Sequence, residues 1–578
     1  MNRVVYWIGM FLLVFLLGGC ADEKDEPTVS SGDGITQRSW TEGNTYAFAE
    51  GETRSFTFTA EGSWTATLSV PLCDLSAMKG GAGNQTLSLK MLDAPYSEAM
   101  LNIQVEGMPF NSTVKIKRKF ADDTPIDADA NRQMDEILKT YYLWNDEYKT
   151  LTPDFGVPYD RFLENTLMNM TTNTLDKKKY TDAQGTAYYR LFSFVQKVDQ
   201  SLQSASRANE AKTKERTYGF TNFLAGMIAG SNNVFLCVQG VYPETPADKA
   251  GIGRGTYITK INGQALTQSN WSTLYLLLSH PSAGASVKVT DHNEKEYTMM
   301  VAEMPQNPVL ISKVDVHGSH RIGYLCYDNF DAGFDDELFA AFKEFKNAGV
   351  TDLVVDLRYN GGGHVMSADM MASCIAGDAC RGKVFASYRY NDTRMKALGN
   401  KRPEELFSYD SYANLGVSLA EGGLNLNRVY VLVGNATASA SELVINSLKG
   451  IGLDVQLIGL PTLGKNVGME GRRLTTEAGN QYLFYPITFQ SYNAKGEGDY
   501  EHGFTPAGGN LIDEKKGADG YFNGYKPWGS ESDPLYARAL TLITGQAPAL
   551  QQVVSTRTAA RPLQVIYEPA PRLRGMLK

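Results

Sequence analysis

The chain has 578 residues, of which 43% are hydrophobic and 21% charged, and its formal net charge is −9. This length exceeds what a single hydrophobic core fills, so the sequence predicts several domains. The apolar content excludes wholesale disorder. The acidic balance, without a long basic run, argues against nucleic acid as a partner.

The first twenty residues (1–20) have the pattern of an export signal. Arg3 supplies a positive charge, and residues 4–17 form an almost unbroken apolar stretch of signal-peptide length. A membrane-spanning helix usually needs more residues. The Leu-Gly-Gly-Cys sequence that ends at Cys20 resembles the bacterial lipoprotein signal, which implies that Cys20 is lipidated. Simple secretion with cleavage near the same place is the alternative.

Residues 21–38 are rich in Ser, Gly, Asp and Glu and predict a polar linker. The acidic start of this linker resembles the surface-export tag of Bacteroidetes lipoproteins. Signal and linker together predict an exported protein that is lipid-anchored to the outer membrane, on its periplasmic face or at the cell surface. No later stretch is long and apolar enough to span a membrane, which argues against a transport component.

Five cysteines follow Cys20. Their spacing matches no zinc-binding pattern, and their odd number argues against a disulfide framework. Cys374 and Cys380 are close enough in sequence to form a bridge in an oxidising compartment. Free, buried thiols are the alternative.

Residues 39–120 predict a small antiparallel β-sandwich. Short runs such as 53–59 and 85–90 alternate polar and apolar side chains, and glycine-rich turns separate them. This alternation is typical of strands with one buried face. The segments 63–67 and 80–84 resemble the immunoglobulin-like modules of Bacteroidetes surface enzymes. Such modules are spacers or binding units, and we favour a spacer.

Residues 121–216 predict the helical N-terminal part of a protease-like unit. Apolar side chains recur at the spacing of one helix face at Met134, Ile137, Leu138 and Tyr141. Residues 196–216 are dense in Lys, Arg, Gln, Ser and Glu, which predicts a solvated connection or an exposed helix.

A compact β-rich unit is predicted over residues 217–304. Residues 234–238 indicate a strand, residues 246–252 a short helix ending in glycine, and residues 257–263 a strand entering a turn. At these residues the chain resembles PDZ domains.

The PDZ resemblance implies a way of binding peptides. A ligand strand adds to a sheet edge while a backbone loop holds its terminal carboxylate. Tyr218, Gly219 and Phe220 are the candidate loop. Gly255 and Thr256 depart slightly from the family, which usually has Gly-Asp there. The alternative is a PDZ fold that only gates a neighbouring active site.

Strands and helices alternate over residues 305–545, which predicts an α/β core of catalytic type. The predicted elements are strand 321–327, helix 335–347, strand 353–357, strand 429–433, a helix beginning near Ser439, and strand 455–460. Residues 546–578 show little periodicity and predict an irregular tail.

The strongest chemical feature is a strand that breaks into small residues and then starts a helix, over residues 431–442. Such a turn presents the hydroxyl of Ser439 at a helix amino terminus, where backbone N–H groups favour developing negative charge. A serine hydroxyl needs a base within reach. None of the six histidines lies in an obvious partner motif.

A buried lysine can serve as that base, because desolvation disfavours the ammonium form. Lys465 lies in an apolar, tightly turning loop, Pro-Thr-Leu-Gly-Lys, after the strand at 455–460. Taken alone, Ser439 could merely cap a helix and Lys465 could be a surface charge.

A third segment, residues 353–363, is a buried strand that runs into a glycine loop able to form an oxyanion hole. The three segments resemble the C-terminal processing, or tail-specific, serine proteases. That family has Asp-Leu-Arg-x-Asn-x-Gly-Gly, then Ser-Ala-Ser-Glu, then Gly-Lys, all after a PDZ domain. The resemblance spans roughly residues 128–545 and implies a ClpP/crotonase-like α/β protease core.

The family resemblance also implies residue roles. Ser439 matches the nucleophile, Lys465 the general base, and Ser441 a supporting residue. The backbone N–H groups of Ala440 and Gly362 match the oxyanion donors. This chemistry needs no metal or organic cofactor, and the sequence shows no cluster of metal ligands.

Two further residues of the glycine-loop strand, Asp356 and Arg358, match structural positions. Arg358 either orients the loop through a salt bridge or is a surface charge.

One departure from the family concerns the lysine. Many members have a glutamine four residues after it, whereas this chain has Met469 there and Glu470 next. A carboxylate beside Lys465 would raise the lysine pKa and oppose its role as a neutral base, so Glu470 is not assigned that place. His364 is a weaker alternative base.

The sequence therefore predicts a multidomain α/β (α+β) serine endopeptidase with a Ser439/Lys465 dyad. Protein or peptide substrates would come from exported proteins, with unstructured or C-terminal segments recognised by the PDZ domain. The alternative is a non-catalytic surface lipoprotein that binds peptides or glycans.

Overall fold

A computed structural model describes residues 33–41, 44–70, 72–92, 98–108, 110–119, 127–181, 187–198, 212, 214–228, 230–517, 522–547, 563–567 and 575–578. The predicted export signal, the lipidation site at Cys20 and most of the linker lie outside these residues. Within the described ranges, no helix combines the length and the apolar character that crossing a bilayer requires.

Residues 33–119 form two facing sheets. Their strands are β1 (Ile35–Thr36), β2 (Thr45–Ala49), β3 (Thr53–Ala60), β4 (Trp64–Leu68), β5 (Cys73–Leu75), β6 (Lys79–Gly80), β7 (Gly83–Met91), β8 (Glu98–Val105) and β9 (Ser112–Lys119). The strand orders are β1-β3-β7-β5 and β2-β9-β8-β4-β6. Alternate side chains, including Phe56, Phe58 and Trp64, share one core. The predicted sandwich is not wholly antiparallel, because β2 and β9 run in the same direction along one edge.

The helical part begins with α1 (Ala128–Tyr141), α2 (Asn145–Tyr148) and α3 (Tyr159–Leu167). Helix α1 buries Met134 and Leu138 on the predicted face. Three strands that local periodicity did not indicate follow: β10 (Lys177–Thr181), β11 (Ala187–Leu191) and β12 (Phe194–Lys197). Most of the connection predicted at 196–216 lies outside the described residues.

Residues 215–304, called the middle unit, contain β13 (Glu215–Thr217), β14 (Phe220–Ile228), β15 (Val234–Val241), α4 (Pro246–Lys249), β16 (Tyr257–Ile261), β17 (Gln264–Ala265), α5 (Trp271–Ser279), β18 (Ser286–Asp291), β19 (Glu296–Met300) and β20 (Ala302–Met304). The main sheet has the order β19-β18-β16-β15-β14, with β17 beside β16. Helix α5 packs on β14 and β15. The two strands and the short helix predicted for this unit are present.

Residues 309–544 form a larger α/β unit. Its elements are β21 (Val309–His317), β22 (His320–Tyr327), α6 (Asp335–Asn347), β23 (Asp352–Asp356), β24 (Gly362–His364), α7 (Val365–Ala376), β25 (Val384–Arg389), α8 (Asp392–Ala397), β26 (Glu404–Leu406), β27 (Arg428–Val433), α9 (Ala440–Gly450), β28 (Asp454–Gly459), β29 (Val467–Met469), β30 (Arg472–Thr475), β31 (Gln481–Tyr485), β32 (Ile487–Tyr492) and α10 (Pro534–Thr544). The six elements predicted from sequence are confirmed within a residue or two.

The central sheet of this unit has the order β21-β22-β23-β27-β28. Its last four strands are parallel, and β21 is an antiparallel edge. Helices α6, α7 and α9 share a core with one face of the sheet, and α10 covers the other. Because β23, β27 and β28 are parallel neighbours, their carboxyl ends deliver three loops to one edge. The chain is thus a mixed α/β protein of several units.

Two strands lie in the region predicted to be an irregular tail. They are β33 (Leu563–Tyr567), which pairs antiparallel with β14, and β34 (Gly575–Leu577), which lies between β24 and β29. The prediction is wrong at these segments. Such short strands form because strands that are distant in sequence supply their hydrogen-bond partners. Local periodicity does not reveal this long-range pairing.

The five described cysteines are buried and free, so Cys374 and Cys380 do not bridge. Burial raises the pKa of the Cys73 thiol and of the Cys380 thiol to about 12, which makes both poor nucleophiles.

Candidate active site

The three motif-bearing segments meet at the carboxyl edge of the central sheet. Thr437 Oγ1 donates to the Leu357 carbonyl at 2.7 Å, and Ala438 N–H donates to the Asn360 carbonyl at 3.1 Å. On the other side, Leu463 N–H donates to the Thr437 carbonyl at 2.9 Å. The serine turn is therefore bonded to both the glycine loop and the lysine loop.

Ser439 occupies a strained turn immediately before α9. Its backbone has φ 62° and ψ −114°, a conformation that side-chain-bearing residues rarely adopt. The side chain is fully buried, and its Oγ makes no hydrogen bond. A hydroxyl held at a sharp strand-to-helix turn, without a partner of its own, is typical of a nucleophile.

Glu442 ties the serine turn to the lysine loop. Its Oε2 accepts hydrogen bonds from the Ser439 N–H at 2.9 Å and from the Lys465 N–H at 2.8 Å. The two backbone nitrogens therefore lie no farther apart than the sum of these two lengths. Its Oε1 accepts from the Gly464 N–H and the Thr462 hydroxyl, each at 2.6 Å.

The role of Glu442 was missed from sequence, although a signal was present. Ser439 and Glu442 have the spacing of a helix capping box, in which the glutamate reaches back to the N–H of the capping residue. Burial raises the pKa of Glu442, and its four donors oppose that shift.

Lys465 is buried, with an exposed fraction of 1%, and its Nζ makes no hydrogen bond. The amine lies 4.7 Å from the centre of the Phe192 ring. Burial lowers the lysine pKa from 10.5 to about 7, against the opposing charges of Asp176 and Glu442. Near neutral pH a large fraction of the amine is therefore uncharged and able to accept a proton.

The wall of the lysine pocket comes from the helical part of the chain. Asp176 accepts hydrogen bonds from the Phe192 and Ser193 N–H groups, from the Ser193 hydroxyl and from the Tyr142 hydroxyl, at 2.7–2.9 Å. These bonds fix the position of the Phe192 ring against Lys465. No local sequence signal marked these residues, because they lie more than 250 positions before the lysine.

The two proposed oxyanion donors differ in their surroundings. Ala440 is the first residue of α9, where a backbone N–H has no intrahelical partner. Gly362 has φ 104°, and its N–H donates to Asn360 Oδ1 at 2.9 Å. The glycine loop reaches the site as expected, but the Gly362 N–H is engaged, which favours Ala440 as the donor in this conformation.

The Glu470 carboxylate pairs with arginine side chains. It makes a bidentate pair with Arg394, at 2.7 and 3.1 Å, and lies 3.7 Å from Arg472. Met469, which occupies the place of the family's glutamine, is buried in an apolar cluster. His364 Nδ1 contacts the backbone of Phe330 and Ala332 at 3.1 and 3.2 Å.

Arg358 orients the glycine-loop segment through buried salt bridges, so the surface-charge alternative is wrong. It bonds Asp356 at 2.7 and 2.9 Å, Asp533 at 2.7 Å, and Glu514. Although burial opposes the charge, these carboxylates hold the pKa of Arg358 well above its usual value. Glu514 also bonds Arg254 of the middle unit at 2.7 Å.

The candidate carboxylate-binding loop lies at the start of β14, the strand where a ligand would add. Gly219 has φ 102°, and its N–H donates to Thr217 Oγ1 at 2.8 Å. The side chains of Tyr218 and Phe220 are buried in the core of the middle unit. The loop thus precedes β14, and the Gly219 N–H is bonded within the loop itself.

Comparison with known proteins supports the chemistry indicated by this geometry. Residues 321–507 match Peptidase family S41. The carboxy-terminal processing protease CtpB of Bacillus subtilis is 23% identical over 248 residues, 42% of this chain and 45% of that protein. The chloroplastic carboxyl-terminal-processing peptidase 1 of Arabidopsis thaliana is 27% identical over 246 residues, 41% and 45% of the two chains.

The fold is also found in a solved structure. A crystal structure described as an S41 protease from Bacteroides fragilis aligns with a TM-score of 0.56 and 24% identity, covering 72% of this chain and 97% of that one. The chain spans about half the length of the two curated relatives above. Residues 321–507 therefore match the serine-type Peptidase family S41, and the chain is similar to the carboxy-terminal processing proteases.

Proposed function

We propose that the chain is a serine endopeptidase in which Ser439 is the nucleophile and Lys465 the general base. One observation carries this proposal. Two buried polar groups, the Ser439 hydroxyl and the Lys465 amine, lack hydrogen bonds and sit on loops joined by the same carboxylate oxygen of Glu442. Buried polar groups are normally paired, so two unpaired ones on adjoining loops indicate a site kept for chemistry.

The reaction begins when the neutral Lys465 amine takes the proton of the Ser439 hydroxyl. Ser439 Oγ then bonds to the carbonyl carbon of the substrate, and the Ala440 N–H stabilises the resulting oxyanion. The protonated lysine returns its proton to the leaving amine as the peptide bond breaks. Lys465 next deprotonates a water molecule, which attacks the carbonyl carbon of the acyl-enzyme. As the ester bond breaks, the protonated lysine returns this proton to Ser439 Oγ, and the carboxyl product leaves.

The surroundings of Lys465 suit this role. A general base works best when its pKa lies near the working pH, and burial brings the lysine pKa to about 7. Two carboxylates lie close enough to oppose that shift, Asp176 and Glu442, but both direct their oxygens at other donors. The lysine thus keeps a depressed pKa in the presence of two acidic neighbours.

The middle unit supports a peptide-recognition role as a PDZ domain. Its strand β14 follows the Tyr218–Phe220 loop and is the strand to which a peptide would add by β-augmentation. We propose that unstructured or C-terminal protein segments bind there. The substrates would be exported proteins, since the sequence predicts export and an outer-membrane lipid anchor at Cys20.

The direct test compares the purified wild type with Ser439→Ala and Lys465→Ala, using casein as an unstructured substrate. Both variants should lose cleavage while keeping the wild-type circular dichroism spectrum. Ser447→Ala is the matched control. Ser447 lies in α9, the helix that follows Ser439, and it is also a buried serine whose hydroxyl makes no hydrogen bond. This variant should cleave at the wild-type rate.

Residual cleavage by Ser439→Ala would overturn the nucleophile assignment. If the wild type itself cleaves neither casein nor peptides with varied carboxyl ends, the non-catalytic peptide-binding alternative replaces the proposal.

A further inference from the structure

A segment of this chain already lies in the groove of the middle unit. Strand β33 pairs antiparallel with β14, with Tyr567 opposite Ala225 and Val565 opposite Gly226. On its other side, the Tyr567 ring lies 5.4 Å from the Trp271 ring and 6.1 Å from the Tyr275 ring, both on α5. The carboxyl end of β33, at Tyr567, therefore lies between β14 and α5.

The direction of this segment matters. Ala225 lies nearer than Ile228 to the start of β14, where the Tyr218–Phe220 loop is. Tyr567 pairs with Ala225, whereas Leu563 pairs with Ile228. The segment therefore runs toward the loop from its amino to its carboxyl end, as a ligand bound by β-augmentation would.

The same stretch of chain enters the catalytic unit a few residues later. Strand β34 pairs in parallel with β24, with Gly575 opposite Gly362. It also pairs with β29, where Leu577 lies opposite Met469 and the Lys578 N–H donates to the Met469 carbonyl at 3.0 Å. Strand β34 thus fills the space between the glycine loop and the strand that follows Lys465.

The side chains of this second strand pack beside the catalytic residues. Met576 is fully buried in the core that contains α7 and α9. Leu577 packs on the apolar cluster that includes Ala438 and Leu463. Ala438 precedes the nucleophile, and Leu463 is two residues before the base. Leu577 therefore belongs to the same apolar cluster as residues of both loops.

We propose that strands β33 and β34, residues 563–567 and 575–578, act together as an intramolecular peptide ligand, with β33 in the groove of the middle unit and β34 in the substrate path of the catalytic unit. This inference rests on the proposed peptidase function. An external substrate offers the same chemistry, namely an extended backbone with an aromatic side chain for the α5 groove and apolar side chains for the catalytic cleft. Such a substrate has to displace the segment before it is cleaved.

Tethering makes this block effective even if each contact is weak. A short linker gives a tethered ligand an effective concentration of about 1 mM, which holds a site with a dissociation constant of about 0.1 mM roughly nine-tenths occupied. Releasing the segment should therefore raise the cleavage rate about tenfold.

The test starts from the full chain with a recognition sequence for a site-specific protease inserted between residues 548 and 562. The protein is purified folded, and casein cleavage is measured before and after the cut and subsequent dilution. We expect about a tenfold increase after the cut. An unchanged or lower rate, with an unchanged circular dichroism spectrum, overturns the inference.

Point variants of the uncut chain provide a second readout that holds even if the cut protein unfolds. Tyr567→Ala removes the ring that contacts α5, and should raise the casein cleavage rate. Val565→Ala is the matched control, since Val565 is 39% exposed on the same strand and should leave the rate unchanged. Equal rates in the two variants and the wild type would overturn the inference.

A binding measurement separates this inference from the proposed activity. A fluorescent peptide with the sequence of residues 563–578 is titrated into the insertion protein carrying Ser439→Ala, so no hydrolysis is involved. The anisotropy should show binding only after the cut. Binding to neither form, or equally to both, contradicts an intramolecular ligand whether or not the wild type is a peptidase.

Discussion

Two buried basic side chains in the α/β unit have opposite surroundings. The exposed fractions are 1% for Lys465 and 3% for Arg358. The Arg358 guanidinium bonds three carboxylates, those of Asp356, Asp533 and Glu514. The Lys465 amine has no hydrogen bond and faces the Phe192 ring.

The difference shows that burial can have two outcomes for a basic side chain. Removing a charge from water is costly, and the protein either pairs the charge or lets the group lose it. Arg358 is paired, so it stays charged and fixes the segment that leads into the glycine loop. Lys465 is left without a pairing hydrogen bond, so its amine becomes a base near neutral pH.

The largest expected effect comes from replacing Lys465 with methionine. Lys465→Met fills the same pocket with an apolar side chain but cannot take the serine proton, so kcat/KM for a casein-derived peptide should fall by about 10³-fold or more. The free energy of unfolding in urea should not decrease, because no buried charge partner is left unpaired. A marked loss of stability would show that Lys465 is a structural cation.

Replacing Arg358 with methionine should have the reverse profile. The change leaves three carboxylates around an apolar side chain, and the free energy of unfolding should fall by about 3–5 kcal/mol, measured by urea denaturation. Arg394→Met is the matched control. Arg394 is one-third exposed and pairs with Glu470, so its loss should cost about 1 kcal/mol or less. If Arg358→Met and Arg394→Met lost equal stability, the buried salt bridges of Arg358 would count no more than a partly exposed pair. That result would contradict the contrast between Arg358 and Lys465.

The pH dependence of cleavage tests the lysine directly. The lysine must be neutral to act, and its pKa is about 7. Raising the pH from about 6 to about 8 should therefore increase kcat/KM about tenfold, with a plateau above. A rate that is flat over this range would argue against a titrating Lys465.

The same shift has a consequence for stability, whose sign follows from proton counts. Between about pH 7 and the ordinary lysine pKa of 10.5, the unfolded chain holds the proton and the folded chain does not. The free energy of unfolding contributed by Lys465 should therefore rise with pH in this window, by up to about 1.4 kcal/mol per pH unit. Comparing Ser439→Ala with the double variant Ser439→Ala/Lys465→Met isolates that slope without self-cleavage.

Much of the proposed active site was predictable because it is encoded locally. Ser439 follows a buried strand and starts a helix, and Lys465 lies in a tight apolar loop, so both could be identified from short segments. The Phe192 ring and the Asp176 carboxylate could not, because tertiary packing alone brings the helical part against the lysine. The hydrogen bond from the Gly362 N–H to Asn360 Oδ1 could not be predicted from the sequence either, since it depends on the orientation of the Asn360 side chain.

The fold likewise divides into elements that the local sequence predicts and elements that only long-range packing determines. Regular elements with strong periodicity, such as the helix at 335–347, have the predicted bounds. Strands β33 and β34 were missed, because their pairing partners lie more than a hundred residues away in sequence. The region with the least local signal thus contains strands that pair with β14, β24 and β29, which belong to the proposed peptide-binding and catalytic surfaces.

The smallest effect is expected at Glu470, the carboxylate that follows the position of the family's glutamine. Glu470→Gln weakens a partly exposed pair with Arg394 and should change the free energy of unfolding by about 1 kcal/mol or less. The midpoint of the kcat/KM profile should stay near pH 7, because Glu470 is bonded to Arg394 and is absent from the charges that shift the Lys465 pKa. A midpoint that moved to lower pH would mean that this carboxylate does reach the lysine. Lys465 would then be partly paired with a carboxylate, and its surroundings would differ from those of Arg358 only in degree.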